Sequence, residues 1–385
     1  MQNLKRYFLL DPSITFLNHG SFGAVPKPVF REYQRWQKEL ERQPVEFLGR
    51  RITALMAEAR AALGQYLGTH ADNLVYTQNV TIAVNIVARS LALGPGDEVL
   101  ASNHEYGAMD RTWRYLSRER GFRYVNHPVE LPLTTAEKFI EEFWRGVNSR
   151  TRLIFLSHIT SPTAIVFPVK EIIMRARRVG ILTLIDGAHA PGQLSLHLDS
   201  LGADFYCGNL HKWLCAPKGA GFLYARPEAQ PLLKPLVISW GYESETPSAS
   251  TFIDHHEWWG TRDMAAFLAV PAAIEFQETH HWTEIREACH ELACIAQKKI
   301  CELTDLPPLY ASRDAGTWFR QMSAAPLPPY TDLAALKTRL YDEYRIEVPL
   351  LEWNGHKLIR VSVQGYNTKR DINKLIAALK KLLPS

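Results

Sequence analysis

Between about residues 70 and 226 short apolar runs alternate with amphipathic stretches, and this alternation limits the possible folds more than any other feature. NLVYT reads as a strand, and TIAVNIVARSLAL, with apolar positions at helical spacing, as a helix. GPGDEVLAS is a turn and a strand, TWRYLSRERG a helix closed by Gly121, FRYVNHP a strand and TAEKFIEEFWRGV a helix. TRLIFLSHI is a buried strand and VKEIIMRARRVG a helix ending at Gly180; ILTLID, ADFYCG and AGFLYAR complete the strands. Strands separated by helices of this length imply βαβ units, hence an α/β fold with a mainly parallel central sheet and helices on both faces. Ligands of such sheets sit beyond the carboxyl ends of the strands.

The rest of the chain differs. Residues 226–262 are irregular and rich in Pro, Ser and Trp, and MAAFLAVPAAIEFQETHHW reads as a long helix interrupted or kinked at Pro271. The tail predicts a helix at 283–303, a strand near WFRQMSA, a helix at 331–344, strands IEVPLLEW and KLIRVSVQ, and a helix at 368–383. That is a smaller α+β unit. We therefore expect a large domain over 15–270 and a small C-terminal domain over 271–385, with the segment 1–14 packing near the latter.

Composition excludes several classes. With 46% apolar and 22% charged residues, the 385-residue chain can bury a large core without staples. A net charge of +4 and the lack of a basic run argue against nucleic acid as partner. No apolar run has the length of a membrane helix, and MQNLKRYFLLDPS is too short and too polar for a signal peptide. The five cysteines form no CxxC pair, and neither they nor the paired histidines His255-His256 and His280-His281 have metal-ligand spacing. The expectation is a cytoplasmic protein with reduced thiols and no metal.

The sharpest local feature is ILTLIDGAHAPG, where an apolar run ends in Asp186. Further along, ADFYCGNLHKWLCAPKGAGFLY places Lys212 in a polar loop followed by apolar Trp213-Leu214. A lysine among apolar neighbours is desolvated, so its pKa falls and the neutral amine becomes a nucleophile. A lysine with a carboxylate suits pyridoxal 5′-phosphate, which needs an amine for its Schiff base and an acid to keep its ring nitrogen protonated. Its phosphate needs an anion cradle. TQNVTIAVN supplies one, with Asn79 as cap and the N–H groups of Val80 and Thr81 opening the following helix.

LNHGSFGAVP, NHEYGA, IDGAHAPGQ, GNLHKWLCAPKGAGFLY, WWGTRD and IRVSVQGYNT resemble the class V aminotransferase superfamily of fold-type I pyridoxal-phosphate enzymes, with most likeness to the isopenicillin N epimerase-like group. The resemblance runs from about residue 15 to 367. It implies that Lys212 is the Schiff-base lysine and Asp186 the partner of the ring nitrogen. It also implies that His104 stacks on the cofactor and that His189 bonds its ring hydroxyl, where many relatives have Gln. Val80, Thr81, Asn209 and His211 match phosphate contacts, and Gly260-Thr261 a loop reaching the phosphate of a neighbouring subunit, which implies a homodimer with shared sites. Arg360 matches the clamp on the substrate carboxylate. Asn18, His19, Gly20 and Phe22 resemble a substrate-cleft loop, and Trp258-Trp259 belong to a dimer interface or a specificity pocket.

Two departures bear on the reaction. Relatives that take sulfur from cysteine carry a nucleophilic cysteine shortly before the carboxylate-binding arginine. VPLLEWNGHKLIR has none, which argues against persulfide formation. Ser161 stands where the superfamily often has Asn. The expected activity is chemistry at the α-carbon of an amino acid or amino-acid-containing peptide, with epimerisation first. A C–S β-lyase or an aminotransferase is the alternative. Epimerisation needs a second acid, for which Tyr106 and His104 are the candidates.

Overall fold

Seven strands form the central sheet: β2 (Leu74–Thr77), β3 (Glu98–Ser102), β4 (Arg123–His127), β5 (Thr151–Ser157), β6 (Leu182–Gly187), β7 (Phe205–Asn209) and β8 (Gly221–Ala225). Their order is β2-β8-β7-β6-β5-β3-β4; β8 runs antiparallel to both neighbours and every other pairing is parallel. The structure, a computed structural model, describes residues 4–311 and 317–383; the ends of the expected 1–14 and 271–385 segments lie outside the described residues. The sheet is covered on both faces, and the sequence shows why. In β5, Leu153 and Phe155 join one core while Ile154 and Leu156 join the other. Successive side chains point to opposite faces, so a strand buried on both sides must be apolar throughout.

The C-terminal unit is a three-stranded antiparallel sheet, β11 (Leu350–Trp353), β12 (His356–Ser362) and β9 (Met322–Leu327), packed on the helix Trp282–Thr304, against which the helix Lys369–Leu382 packs in turn. IEVPLLEW, expected as one strand, is two. Pro349 has no N–H to give a ladder and divides it. Before it, β10 (Ile346–Glu347) pairs in parallel with β1 (Thr15–Phe16), which ties the amino-terminal segment to this unit. The amide of Leu4 donates to the Gly365 carbonyl at 2.9 Å, a second tie.

The long helix over 264–282 is broken into Ala265–Leu268 and Val270–Thr279. The break falls just before Pro271, where the ring meets the carbonyl of the preceding turn. Within 226–262, expected to be irregular, TFIDHHE forms the helix Thr251–Glu257, capped by the Ser250 side chain on the Ile253 amide. Among the described residues all five cysteines are free thiols, and no helix is long and apolar enough to cross a membrane.

Candidate active site

The carboxyl ends of three neighbouring strands open on one cavity of about 340 Å³. β5 contributes Ser157, β6 Asp186 and β7 Asn209, and the loop after β7 adds His211 and Lys212. Gln78, Asn79, Val80 and Thr81 enter from the start of the helix Val80–Ser90; Ser21, Phe22, Tyr106 and Ser161 come from elsewhere.

The Lys212 loop is held by close backbone contact. A Cβ on Gly23 (φ +70°) would lie 1.9 Å from the His211 carbonyl oxygen, and one on Gly192 (φ +93°) 2.2 Å from the Trp213 carbonyl oxygen. Only glycine allows both the backbone angle and the approach. His19 is fully buried and its Nε2 lies 3.0 Å from the Lys212 carbonyl oxygen, with Nδ1 2.9 Å from the Tyr366 hydroxyl. His19 thus holds the lysine's backbone and does not line the cavity.

The protonation state of the amine follows from one chain of contacts. Trp213 Nε1 lies 3.2 Å from His189 Nδ1, and Lys212 Nζ lies 3.1 Å from His189 Nε2. An indole nitrogen can only donate, so Nδ1 accepts and the neutral imidazole carries its proton on Nε2. That N–H points at Lys212, whose nitrogen must offer a lone pair: the amine is uncharged. Burial drives the lysine pKa down, and the Arg360 charge pushes the same way, against the opposing pull of Asp186. Burial holds His189 far below its usual range, and the nearby Arg360 charge pushes the same way. Asp186 is itself buried; burial raises its pKa, while the Ala188 N–H at 2.9 Å favours the carboxylate, as would a proton on Lys212.

These groups fit pyridoxal phosphate. A buried amine and a buried acid share the cavity, and one end of it is a helix N-terminus. There Asn79 caps the Ile82 amide at 3.1 Å, while the Val80 amide is bonded to Asn209 Oδ1 at 3.0 Å. Val80 and Asn209 are therefore partners of each other here, and the Thr81 amide, in the first helical turn, is the one free to meet an anion. His211 Nδ1 lies 3.0 Å from the Ala220 carbonyl oxygen, leaving Nε2 for a ligand. The side-chain oxygen of Gln78, in the cavity wall, is buried with no partner, the mark of an amide that awaits one.

Other expected residues are placed differently. His104 does not reach the cavity: Nδ1 lies 2.8 Å from the Thr163 hydroxyl, Nε2 3.0 Å from the Val129 carbonyl oxygen, and the ring packs 4.0 Å from that of Trp353. With both nitrogens and one face occupied, it is a satisfied core histidine. The cavity wall carries the ring of Tyr106 instead, 48% exposed, together with that of Phe22. Arg360 is buried; its guanidinium donates to the Ser161 carbonyl and, at 3.3 Å each, to the Ser161 and Ser21 hydroxyls, while Nε has no partner. Burial pushes its pKa down to about 10. Asn18 donates to Glu347 at 2.9 Å and receives the Ser21 hydroxyl at 2.5 Å, so it positions Ser21. Gly260 and Thr261 do not line the cavity of their own chain, and a Cβ built on Gly260 would meet open space.

Sequence reasoning missed Trp213 as the donor that fixes His189, and it missed Glu105. That carboxyl is buried and accepts from the Ser102 hydroxyl at 2.5 Å, the Ser157 amide at 2.9 Å and the Ser157 hydroxyl at 2.6 Å. Burial raises its pKa to about 8, and Asp186 adds to the rise. Its place next to His104 in NHEYGA was the only available signal.

Comparison with known proteins agrees with this geometry. Isopenicillin N epimerase of Amycolatopsis lactamdurans is 38% identical, over 99% of this chain and 98% of its own length. A probable chloroplastic L-cysteine desulfhydrase of Arabidopsis thaliana is 26% identical over 97% of this chain and 84% of its own. Among solved structures, a C-DES variant with glycine covalently linked to its PLP cofactor superposes with a TM-score of 0.81, at 23% identity, covering 96% of this chain and 97% of the other. The Aminotransferase class-V profile matches residues 23–318. With the fold, the buried amine and the acid in place, the chain belongs to the class-V aminotransferase family, and its cofactor is pyridoxal phosphate.

Proposed function

We propose that this enzyme inverts the α-carbon of an amino acid, free or within a small peptide, in the manner of its isopenicillin N epimerase relatives. The observation that carries the reading is the uncharged Lys212 amine, in a cavity that also presents a phenol, Tyr106, close to the Arg360 guanidinium. Pyridoxal phosphate, when bound, supplies the electron sink that makes a Cα–H bond acidic. Everything else falls to the chain.

Lys212 would hold the cofactor, and its uncharged amine is the base that takes the Cα proton. Asp186 would hold the ring nitrogen protonated, His189 would offer its Nε2 proton to the ring hydroxyl, and the Thr81 amide and His211 Nε2 would meet the phosphate. Arg360 binds the substrate carboxylate by exchanging its Ser161 and Ser21 contacts for a charged pair. Tyr106, in the cavity wall, returns a proton to Cα, the step that inversion needs beyond a single base. Gly260-Thr261 complete the phosphate site of a second copy. The exposed Ile238 and Trp240, 71% and 84% accessible, support a homodimer through this region.

A C–S β-lyase is the second reading, favoured by the desulfhydrase relative, because elimination needs Lys212 and a leaving group but no second acid. Incubation with a panel of amino acids and peptides in deuterated water separates the two. Inversion with one deuterium at Cα, reduced at least tenfold in Tyr106→Phe, is the expected result. Pyruvate and ammonia from cysteine, unaffected by Tyr106→Phe, would replace the epimerase reading with the lyase. A keto acid product would make it an aminotransferase.

A further inference from the structure

A second cavity, of about 680 Å³ against about 340 Å³ around Lys212, opens at the seam between the parallel sheet and the C-terminal unit. One wall carries His158 at the end of β5, Lys170 in the helix Val169–Arg178, and Gln193 in the loop after β6. The facing wall carries Arg286 of the helix Trp282–Thr304 and Arg320 ahead of β9. Among the described lining residues, one carboxylate, Glu287, stands with Lys170, Arg286 and Arg320. Lys170 makes no ion pair among the described residues, and Arg286 donates only to the Thr283 hydroxyl, at 3.2 Å. Glu278 and Glu284 line the adjoining groove, which shares Arg286 with this cavity.

We propose that this seam cavity is a second, non-catalytic binding site for a compact anion of two or more charges, bearing carboxylates or phosphates. The cations stand on both walls, so a multivalent ligand neutralises both at once and bridges the two units, which a neutral ligand or a monoanion does not. The walls are also shared with the active site. The His158 amide donates to the Asp186 carbonyl at 2.8 Å, and its neighbour Ser157 lines the Lys212 cavity. Gln193 donates to the His189 carbonyl at 2.8 Å and accepts from the Gln321 amide of the C-terminal unit at 3.0 Å. An anion in the seam thus touches residues bonded directly to the backbone of Asp186 and His189.

Calorimetric titration of the holoenzyme tests the site, because the bound cofactor fills the phosphate cradle. Citrate probes the carboxylate form and pyrophosphate the phosphate form; binding of either one supports the site and names its class. The expected result is one anion per chain, bound roughly fivefold more weakly in Lys170→Met and again in Arg286→Met. Affinity should fall with added salt and stay unchanged in Arg360→Gln. Binding that is equal in wild type, Lys170→Met and Arg286→Met overturns the proposal. So does loss confined to Arg360→Gln, which would put the anion in the Lys212 cavity, and so does no binding of either probe.

Discussion

The two sides of the Lys212 cavity are built by opposite means. On the anchoring side Asp186, His189, Asn209, His211 and Lys212 come from one stretch of chain, and hydrogen bonds to Trp213, Ala188, Val80 and Ala220 fix the four that flank the amine. On the opposite side Ser21, Tyr106 and Ser161 arrive from three remote segments, and Arg360, from a fourth, is bonded to the two serines. There Phe22 is 73% exposed and Arg360 Nε is buried without a partner. A group that must meet an unchanging cofactor gains from rigid preorganisation, whereas a surface that must release and rebind substrate keeps contacts that can be exchanged. The difference teaches that Arg360 is poised: its serine partners are neutral, and a carboxylate replaces them at a gain.

Removal of the amine breaks the anchoring side most completely. Lys212→Ala should lower turnover by about 10³ or more. It should also abolish the borohydride-stable adduct detected by mass spectrometry, while the far-ultraviolet spectrum stays native. An adduct surviving on another lysine would move the anchor elsewhere.

Acid attacks the buried histidines, of which His19 and His211 hold the Lys212 loop. Burial holds His19 near a pKa of about 3 and His104, His158, His211 and His256 near about 4, against 6.5 in the unfolded chain. Between these values the unfolded state binds more protons, so the stabilisation is complete above pH 6.5 and is lost as pH falls toward 4. Glu105, raised to about 8, opposes this with one proton in the same window. The net loss from pH 7 to pH 5.5 should be roughly 4 kcal/mol, read from urea midpoints. Midpoints that are flat over this range would mean that these histidines are not neutral in the fold.

On the substrate side, Arg360→Gln should cost about 10² in kcat/KM, mostly through KM, because it removes charged hydrogen bonds to a carboxylate. Cofactor absorption should be unchanged. A variant that instead loses the cofactor would place Arg360 on the anchoring side and erase the contrast.

The contrast also explains what the sequence made legible. The parallel sheet was visible because strands buried on both faces carry runs of consecutive apolar residues, as LIFL in TRLIFLSHI and the near-continuous ILTLI in ILTLID do. Asp186 and Lys212 were visible because strand-end acid and loop lysine lie close in sequence among apolar residues. His104 misled because a histidine in a polar loop looks available. Its occupancy by Thr163, Val129 and Trp353 depends on contacts across the chain that no local pattern encodes. Glu105 was hidden for the same reason, since its burial depends on Ser157 of a neighbouring segment. The split of IEVPLLEW was readable from Pro349, but the pairing of its first half with Thr15–Phe16 was not.

The smallest effect is the most specific. Trp213→Phe removes the only donor to His189 Nδ1 while keeping an aromatic ring in the core. The loss leaves a buried acceptor unpaired, a cost of about 1 kcal/mol, and frees the imidazole proton to move between its nitrogens. Nitrogen-15 spectra of the cofactor-free protein should show His189 Nδ1 unprotonated in the wild type and a mixture of tautomers in the variant. A change of packing alone would leave the tautomer as it was. If the wild-type proton sits on Nδ1, the bond from Trp213 is not formed and Nε2 becomes an acceptor. Lys212 is then the donor in its contact, and the case for an uncharged amine falls with it.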